Sequence, residues 1–187
     1  MRAIQFIFVG LFILWNNLAL AETSWAQNTQ LLPQYCKDRA KGSQSPEFNK
    51  WRGTFGEVAV HIHHYCDGLY AEQKARVSTN PQERNRWLEN VIHEMLYVGK
   101  HCGTGCVLFP ELHCRLGWAL GESGQVAEAI EQFQLVIRAR PKYPPAYAKL
   151  SDLYVKIKMP DEAKKVLEEG LKAKPGTHML QRRLKQL

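Results

Sequence analysis

The chain has 187 residues, of which 45% are hydrophobic and 23% are charged, and its formal net charge is +7. This length is sufficient for one domain with its own hydrophobic core, so folding does not depend on a framework of disulfides. The positive charge is moderate and is not concentrated in one basic run, so we expect no nucleic-acid partner. Solubility, an acidic partner or an anionic surface each accounts for the charge.

The amino terminus has the pattern of a secretory signal peptide. Arg2 is followed by the apolar run "AIQFIFVGLFILW", which is too short to span a bilayer comfortably, and then by the cleavage signal "ALA" that ends at Ala21. We therefore predict a signal peptide over residues 1–21 and export, most simply to a bacterial periplasm. Cleavage after Ala26 and retention of the segment as an anchor stay open. No later segment is apolar enough to cross a membrane, so the processed chain is not expected to span one.

Two helices are predicted in the first half, after a polar segment. Residues 22–45 are polar and contain Pro33 and Gly42, with Pro46 directly after them, and they are predicted to form an extended arm. Residues 46–109 are predicted to contain a helical pair and a loop. The first helix runs from Glu47 to about Tyr70, and the second begins at "NPQE", with Asn80 as its cap, and ends near Gly99. The stripe of the first helix consists of Trp51, Phe55, Val58, Ile62, Tyr65 and Leu69.

The stretch "HIHHYC" on the first of these helices raises the question of a metal site. At about 100° per residue, His61 and His64 are neighbours one turn apart, whereas His63 points elsewhere. Two ligands make a weak site, because zinc normally takes four ligands or three and a water molecule. His93, on the second helix, is predicted to face away from the first. We therefore favour a structural helix and keep a copper or zinc site as the alternative.

Export also bears on the five cysteines, Cys36, Cys66, Cys102, Cys106 and Cys114, because cysteines tend to pair in an oxidising compartment. Cys66 is placed near the core side of its helix. A bond to Cys36 would attach the arm to this helix, and a free buried thiol is the alternative. A second bond is predicted among the other three cysteines, leaving one thiol. Alternatively, Cys102 and Cys106 could hold a soft metal in the loop "HCGTGC".

An internal repeat organises the second half. Residues 111–143 align with residues 145–177, so that Leu116 falls over Leu150, Ala129 over Ala163 and Pro141 over Pro175. Apolar residues recur at helical spacing in each unit. A break near Gly124 or Pro160 divides each unit into two helices, and a proline closes the second one.

These units resemble the tetratricopeptide repeat. The first unit has the small and bulky residues of that pattern, namely Leu116, Gly117, Gly124, Ala129, Phe133 and Pro141. The second unit has Ser151 and Lys158 where glycines are common. The resemblance implies an all-α fold, a short α-solenoid of antiparallel helix pairs. It would contain units at 110–143 and 144–177, a terminal capping helix, and the long helical pair before them.

The resemblance also implies a concave groove, lined by the first helices, that binds a protein or peptide. Carried over by position, the groove residues are Glu111, Cys114, Trp118, Glu122, Lys149, Asp152, Lys156 and Arg183. Some family members clamp a peptide's terminal carboxylate with Lys and Asn, but here those positions hold Cys114 and Trp118, which argues against the clamp. Trp118 is either an aromatic anchor for a partner or packs against the preceding long helix.

The sequence contains no motif for catalysis. We find no phosphate-binding loop, nucleophile elbow, His-Glu-x-x-His or Cys-x-x-Cys. We therefore predict a non-enzymatic exported adaptor or assembly factor that needs no cofactor. The alternative is a periplasmic copper- or zinc-handling protein that uses His61, His64, Cys102 and Cys106.

Overall fold

The computed structural model describes residues 24–187, and the predicted signal peptide lies outside these residues. The described part is helical and contains no β-strand. Its elements are α1 (Ser24–Gln27), α2 (Gln34–Ala40), α3 (Pro46–Phe55), a 3₁₀ helix (Gly56–His61), α4 (Ile62–Val77), α5 (Pro81–Gly99), α6 (Phe109–Glu122), α7 (Val126–Ala139), α8 (Pro144–Lys156), α9 (Pro160–Ala173) and α10 (His178–Leu184). Among the helices of the described region, none is both long and apolar enough to cross a membrane.

Residues 24–45 contain the short helices α1 and α2, so the prediction of an extended arm over 22–45 is wrong for the part that the structure describes. Cys36 on α2 forms a disulfide with Cys66 on α4, as predicted. The buried carboxylate of Asp38 accepts hydrogen bonds from Gln34 (2.9 Å) and from the indole of Trp51 on α3 (2.8 Å). α2 is shorter than an isolated helix needs to be for stability. The disulfide and the hydrogen bonds of Asp38 hold α2 in place, and neither of these contacts can be predicted from a pattern of apolar residues.

The helix predicted from Glu47 to Tyr70 is interrupted. Gly56 has a positive φ of 58°, where it caps α3, and a 3₁₀ turn follows before α4 begins at Ile62. Glycine adopts this backbone conformation without the steric cost that a side chain would add. The apolar stripe thus continues across two helices that are not collinear.

The predicted start of the next helix is present. The side chain of Asn80 accepts a hydrogen bond from the backbone N–H of Glu83 at 2.9 Å, and Pro81 occupies the first turn. α4 and α5 pack against each other as an antiparallel pair. Gly68 allows the close approach, because a Cβ atom there would lie 2.5 Å from Cε of Met95.

The remaining helices form the predicted stack of pairs, α6 with α7 and α8 with α9, and α10 covers the end. The prediction of an all-α solenoid of antiparallel helix pairs is therefore confirmed. One large apolar core extends from Trp25 to Leu153. A second, small cluster of Tyr147, Ala148, Leu167 and Leu180 lies under α10.

The amino-terminal helices cover the inner side of the first pair. Gly68 faces α5, whereas Cys66 is bonded to α2 and lies about 200° from Gly68 around α4. Glu72 lies about 40° from Gly68 around α4 and binds Arg115 of α6. Because Cys66 lies on the far side from Gly68, α2 lies on the side of α4 that points away from its partner helix, which in a stack of pairs is the concave side.

Candidate functional site

The open part of the concave face contains a pocket of about 360 Å³ between α4, α6, α8 and α10. Six of the eight predicted groove residues line it: Trp118, Glu122, Lys149, Asp152, Lys156 and Arg183. They come from α6, α8 and α10, and the stacking of the two repeats with the end helix brings them together. Arg76 of α4 also lines the pocket. Arg76 is not predicted from the sequence, because nothing in the sequence links the end of α4 to the repeats.

Small residues on α6 shape the floor of the pocket. A Cβ atom at Gly117 would lie 2.8 Å from Cε1 of Phe133, and one at Gly121 would lie 3.0 Å from Cδ1 of Leu153. Both distances are at or below the closest approach that carbon atoms tolerate. The two glycines therefore let α7 and α8 pack closely against α6, and they leave apolar side chains at the base of a charged pocket.

Trp118 is an accessible aromatic residue that one cation already contacts. The guanidinium of Arg76 lies 4.0 Å from the centre of the Trp118 ring, within cation–π range. Arg76 also donates to Glu72, one turn earlier on α4, at 2.7 Å. The indole thus borders the pocket and contacts Arg76 of α4.

The carboxylates of the pocket are paired. Asp152 accepts two hydrogen bonds from Arg183, at 2.8 and 2.9 Å. Glu122 binds Lys156, at 3.0 Å, and Arg84. Burial raises the pKa of Glu122, but the hydrogen bonds from Arg84 and Lys156 outweigh it, so the pKa lies below its usual value. Glu122 is therefore ionised near neutral pH, and both carboxylates are occupied by cations of the protein itself.

Lys149 differs from these residues. It is half-buried on α8, and within residues 24–187 its ammonium group has no ion pair or hydrogen bond. Burial lowers its pKa, while the nearby carboxylate of Glu72 opposes that shift. It supplies the pocket with an uncompensated positive charge.

The other two predicted groove residues lie outside this pocket. Glu111 binds Arg115 one turn later on α6. Cys114 is 1% exposed, and its burial raises the pKa of the thiol to about 12. Cys114 is therefore too buried to contact a partner in the groove. A buried thiol with a raised pKa is not a reactive nucleophile.

The predicted metal ligands do not converge. Cys102 and Cys106 form a disulfide, so they do not act as thiolate ligands. The ring of His61 stacks on that of His101 with centroids 3.8 Å apart, and Nδ1 of His64 lies 2.7 Å from Oε2 of Glu94. No group of three or more His, Cys, Asp or Glu side chains within residues 24–187 is arranged to hold a metal ion. The assignment of Cys102 and Cys106 as metal ligands is wrong. The prediction of a disulfide in this loop is confirmed, and Cys114 is the remaining thiol.

The comparisons with known proteins agree with the repeat. A protein-family model described as tetratricopeptide repeat matches residues 121–186, which include α7, α8, α9 and α10. Searches of curated proteins and of solved structures found no significant match. Tetratricopeptide repeats are scaffolds for protein–protein interaction and are generally not enzymes. The stacked antiparallel pairs and this match show that residues 121–186 are similar to the tetratricopeptide repeat.

Proposed function

We propose that this protein is an exported adaptor or assembly factor that binds a segment of another protein in the pocket between α4, α6, α8 and α10. The main support for this binding site is that six groove residues implied by the repeat line one pocket of about 360 Å³. This volume is in the range of pockets that bury a small ligand or a few side chains. The protein acts by holding its partner and carries out no reaction.

The covered inner side of α4 supports a short binding segment. Because α2 lies against this side through the Cys36–Cys66 disulfide, a partner reaches only the carboxyl-terminal part of the groove. An extended segment of five to seven residues spans about 17–25 Å. A segment of this size would contact the first helices of both repeats and α10, which together form the open part.

Export rests on the sequence of residues 1–21 and on the cysteines. The apolar segment after Arg2 has the form of a signal peptide, and four of the five cysteines are paired. Disulfides persist in oxidising compartments such as the periplasm. Intact-mass measurement on the protein recovered from a periplasmic extract tests this. We expect a mature chain that begins at Glu22 and is 4 hydrogen atoms lighter than the fully reduced form, and a full-length reduced chain in the cytosol would refute export.

Binding is tested with a phage library of random seven-residue segments, from which the wild-type protein selects ligands. We expect Trp118→Ala to weaken the selected peptides at least tenfold, because aromatic residues at the centre of an interface often dominate its energy. Trp87→Ala is the matched control. Trp87 lies on α5, where its indole donates to Glu83, and it does not line the pocket.

The two tryptophan variants separate binding from stability. Both remove the same side chain, and thermal unfolding of each shows whether the fold persists. Equal losses of affinity in the two variants, or no loss with Trp118→Ala, would place the partner elsewhere and refute the proposed site.

A further inference from the structure

The charges that line the pocket leave one group unbalanced. Asp152 is occupied by Arg183, and Glu122 is occupied by Lys156. Arg76 is held by Glu72. These ion pairs leave the ammonium group of Lys149 as the cation of the pocket that no described carboxylate contacts.

The surroundings of Lys149 do not supply a partner from within the chain. Glu72 acts on it electrostatically, but the two oxygens of this carboxylate are bound to Arg76 and Arg115. Cys114 is a buried, protonated thiol. A half-buried ammonium group loses hydration without gaining a hydrogen bond in return, which is unfavourable unless a ligand provides one. The pocket is therefore prepared electrostatically for an anionic group at Lys149.

We propose that Lys149 binds the carboxylate of an aspartate or glutamate side chain within the partner segment, an inference that rests on the proposed function. A charge-assisted hydrogen bond to this carboxylate would satisfy the ammonium group and balance the pocket. The two acids already present repel any carboxylate that is out of register, so Lys149 fixes the position of the acidic residue along the groove.

The location of Lys149 favours an internal acidic side chain over the terminal carboxylate of a peptide. Lys149 lies on α8, and the pocket continues from it toward Trp118 on α6 and toward Arg183 on α10. A segment that ended at Lys149 would leave one side of the pocket empty. An extended segment that runs past it presents a side chain at this point, and it contacts Leu153 and the edge of Phe133 with its apolar groups.

The test uses seven-residue peptides that are acetylated and amidated, so that they carry no terminal charge. The wild-type protein is screened against sets that differ only in having Asp, Glu, Asn or Gln at the central position. We expect the acidic sets to bind at least tenfold more tightly than their amides. In Lys149→Met, which retains a side chain of similar length without the charge, we expect this preference to vanish, so that acidic and amide peptides bind with the same affinity as each other.

Matched variants separate the position of the charge from the net charge. Lys164→Met removes one exposed positive charge from α9, away from the pocket, and the acidic preference should persist. Lys149→Arg should retain most of the preference. Thermal unfolding of every variant checks the fold.

The remaining outcomes distinguish this inference from the proposed function. Peptides that bind without acidic preference, and are lost with Trp118→Ala, would overturn the role of Lys149 and leave the binding site intact. A preference that survives Lys149→Met would assign it to another cation and overturn the inference. A parallel set of the same peptides is left with a free terminal carboxylate, and binding that occurs only in this set would overturn the inference in favour of end recognition. Failure of every peptide in both sets to bind would overturn both proposals.

Discussion

Replacing Gly170 by alanine tests the close packing of α10 on the last repeat. A Cβ atom at this buried position would lie 2.7 Å from Cδ1 of Leu180 and 2.8 Å from Cγ of Tyr147. The leucine methyl group can rotate away, but the root of the tyrosine ring can move only with the backbone of α8. Overpacking of this kind costs about 1–3 kcal/mol, and alanine returns about 1 kcal/mol in helix propensity. We expect a net loss of about 1–2 kcal/mol in the free energy of unfolding.

The assay is urea unfolding followed by circular dichroism at 222 nm, with Gly53→Ala as the matched control. Gly53 lies within α3, and a Cβ atom there would meet nothing within 4 Å. The same substitution should therefore stabilise the protein there by up to about 1 kcal/mol. The two substitutions should therefore change the free energy of unfolding in opposite directions. A Gly170→Ala protein as stable as the wild type would refute the packing of α9 against α8 and α10.

Three further substitutions have defined outcomes. Burial raises the pKa of Asp67 to about 6, above the pKa of the same carboxyl in the unfolded chain. The stability that the protonated carboxyl contributes is therefore present at low pH and is lost as the pH rises through 6. Asp67→Asn should therefore raise the free energy of unfolding by about 1 kcal/mol at pH 8 and leave it unchanged at pH 4, since the site is half-exposed; a gain equal at both pH values would contradict this. Glu72→Gln leaves the guanidinium of Arg115 without its buried partner and should cost about 3 kcal/mol in urea unfolding, whereas a loss below 1 kcal/mol would mean that the pair is not buried. Replacing Cys36 and Cys66 together by serine opens a loop with a sequence separation of 30 and should cost about 3–4 kcal/mol, visible as a lower melting temperature; an unchanged value would show that the bond does not constrain the chain.

The repeat region was the most predictable part of the fold. Each of its helices is long enough to show the apolar spacing, and Gly117, Phe133 and Ala129 perform the packing that the repeat pattern requires. The position of Trp118 and Lys149 in one pocket follows from the same pattern. A local pattern is sufficient here because each pair packs mainly against its neighbours.

The amino-terminal part was less predictable because contacts distant in sequence determine it. The seven residues of α2 carry no apolar period and depend on Cys66 and Trp51 for their place. Arg76 reaches Trp118 only after α4 and α6 are stacked side by side. The burial of Cys114, at a position that faces the groove in related repeats, likewise does not follow from the repeat pattern.

The separate apolar cluster under α10 has a consequence for motion. Only four buried side chains, Tyr147, Ala148, Leu167 and Leu180, make up that cluster, whereas the other end of the stack has the large core and a disulfide. In a linear array, local unfolding begins at the end with the weakest interface, so amide hydrogens in α9 and α10 should exchange fastest among the paired helices. A bound segment that contacts both Arg76 and Arg183 links the end of the stack that has the large core to the less stable carboxyl-terminal end. Binding therefore stabilises α10 against local unfolding. Slower amide exchange in α10 would then reveal a bound partner even at residues that the partner does not contact.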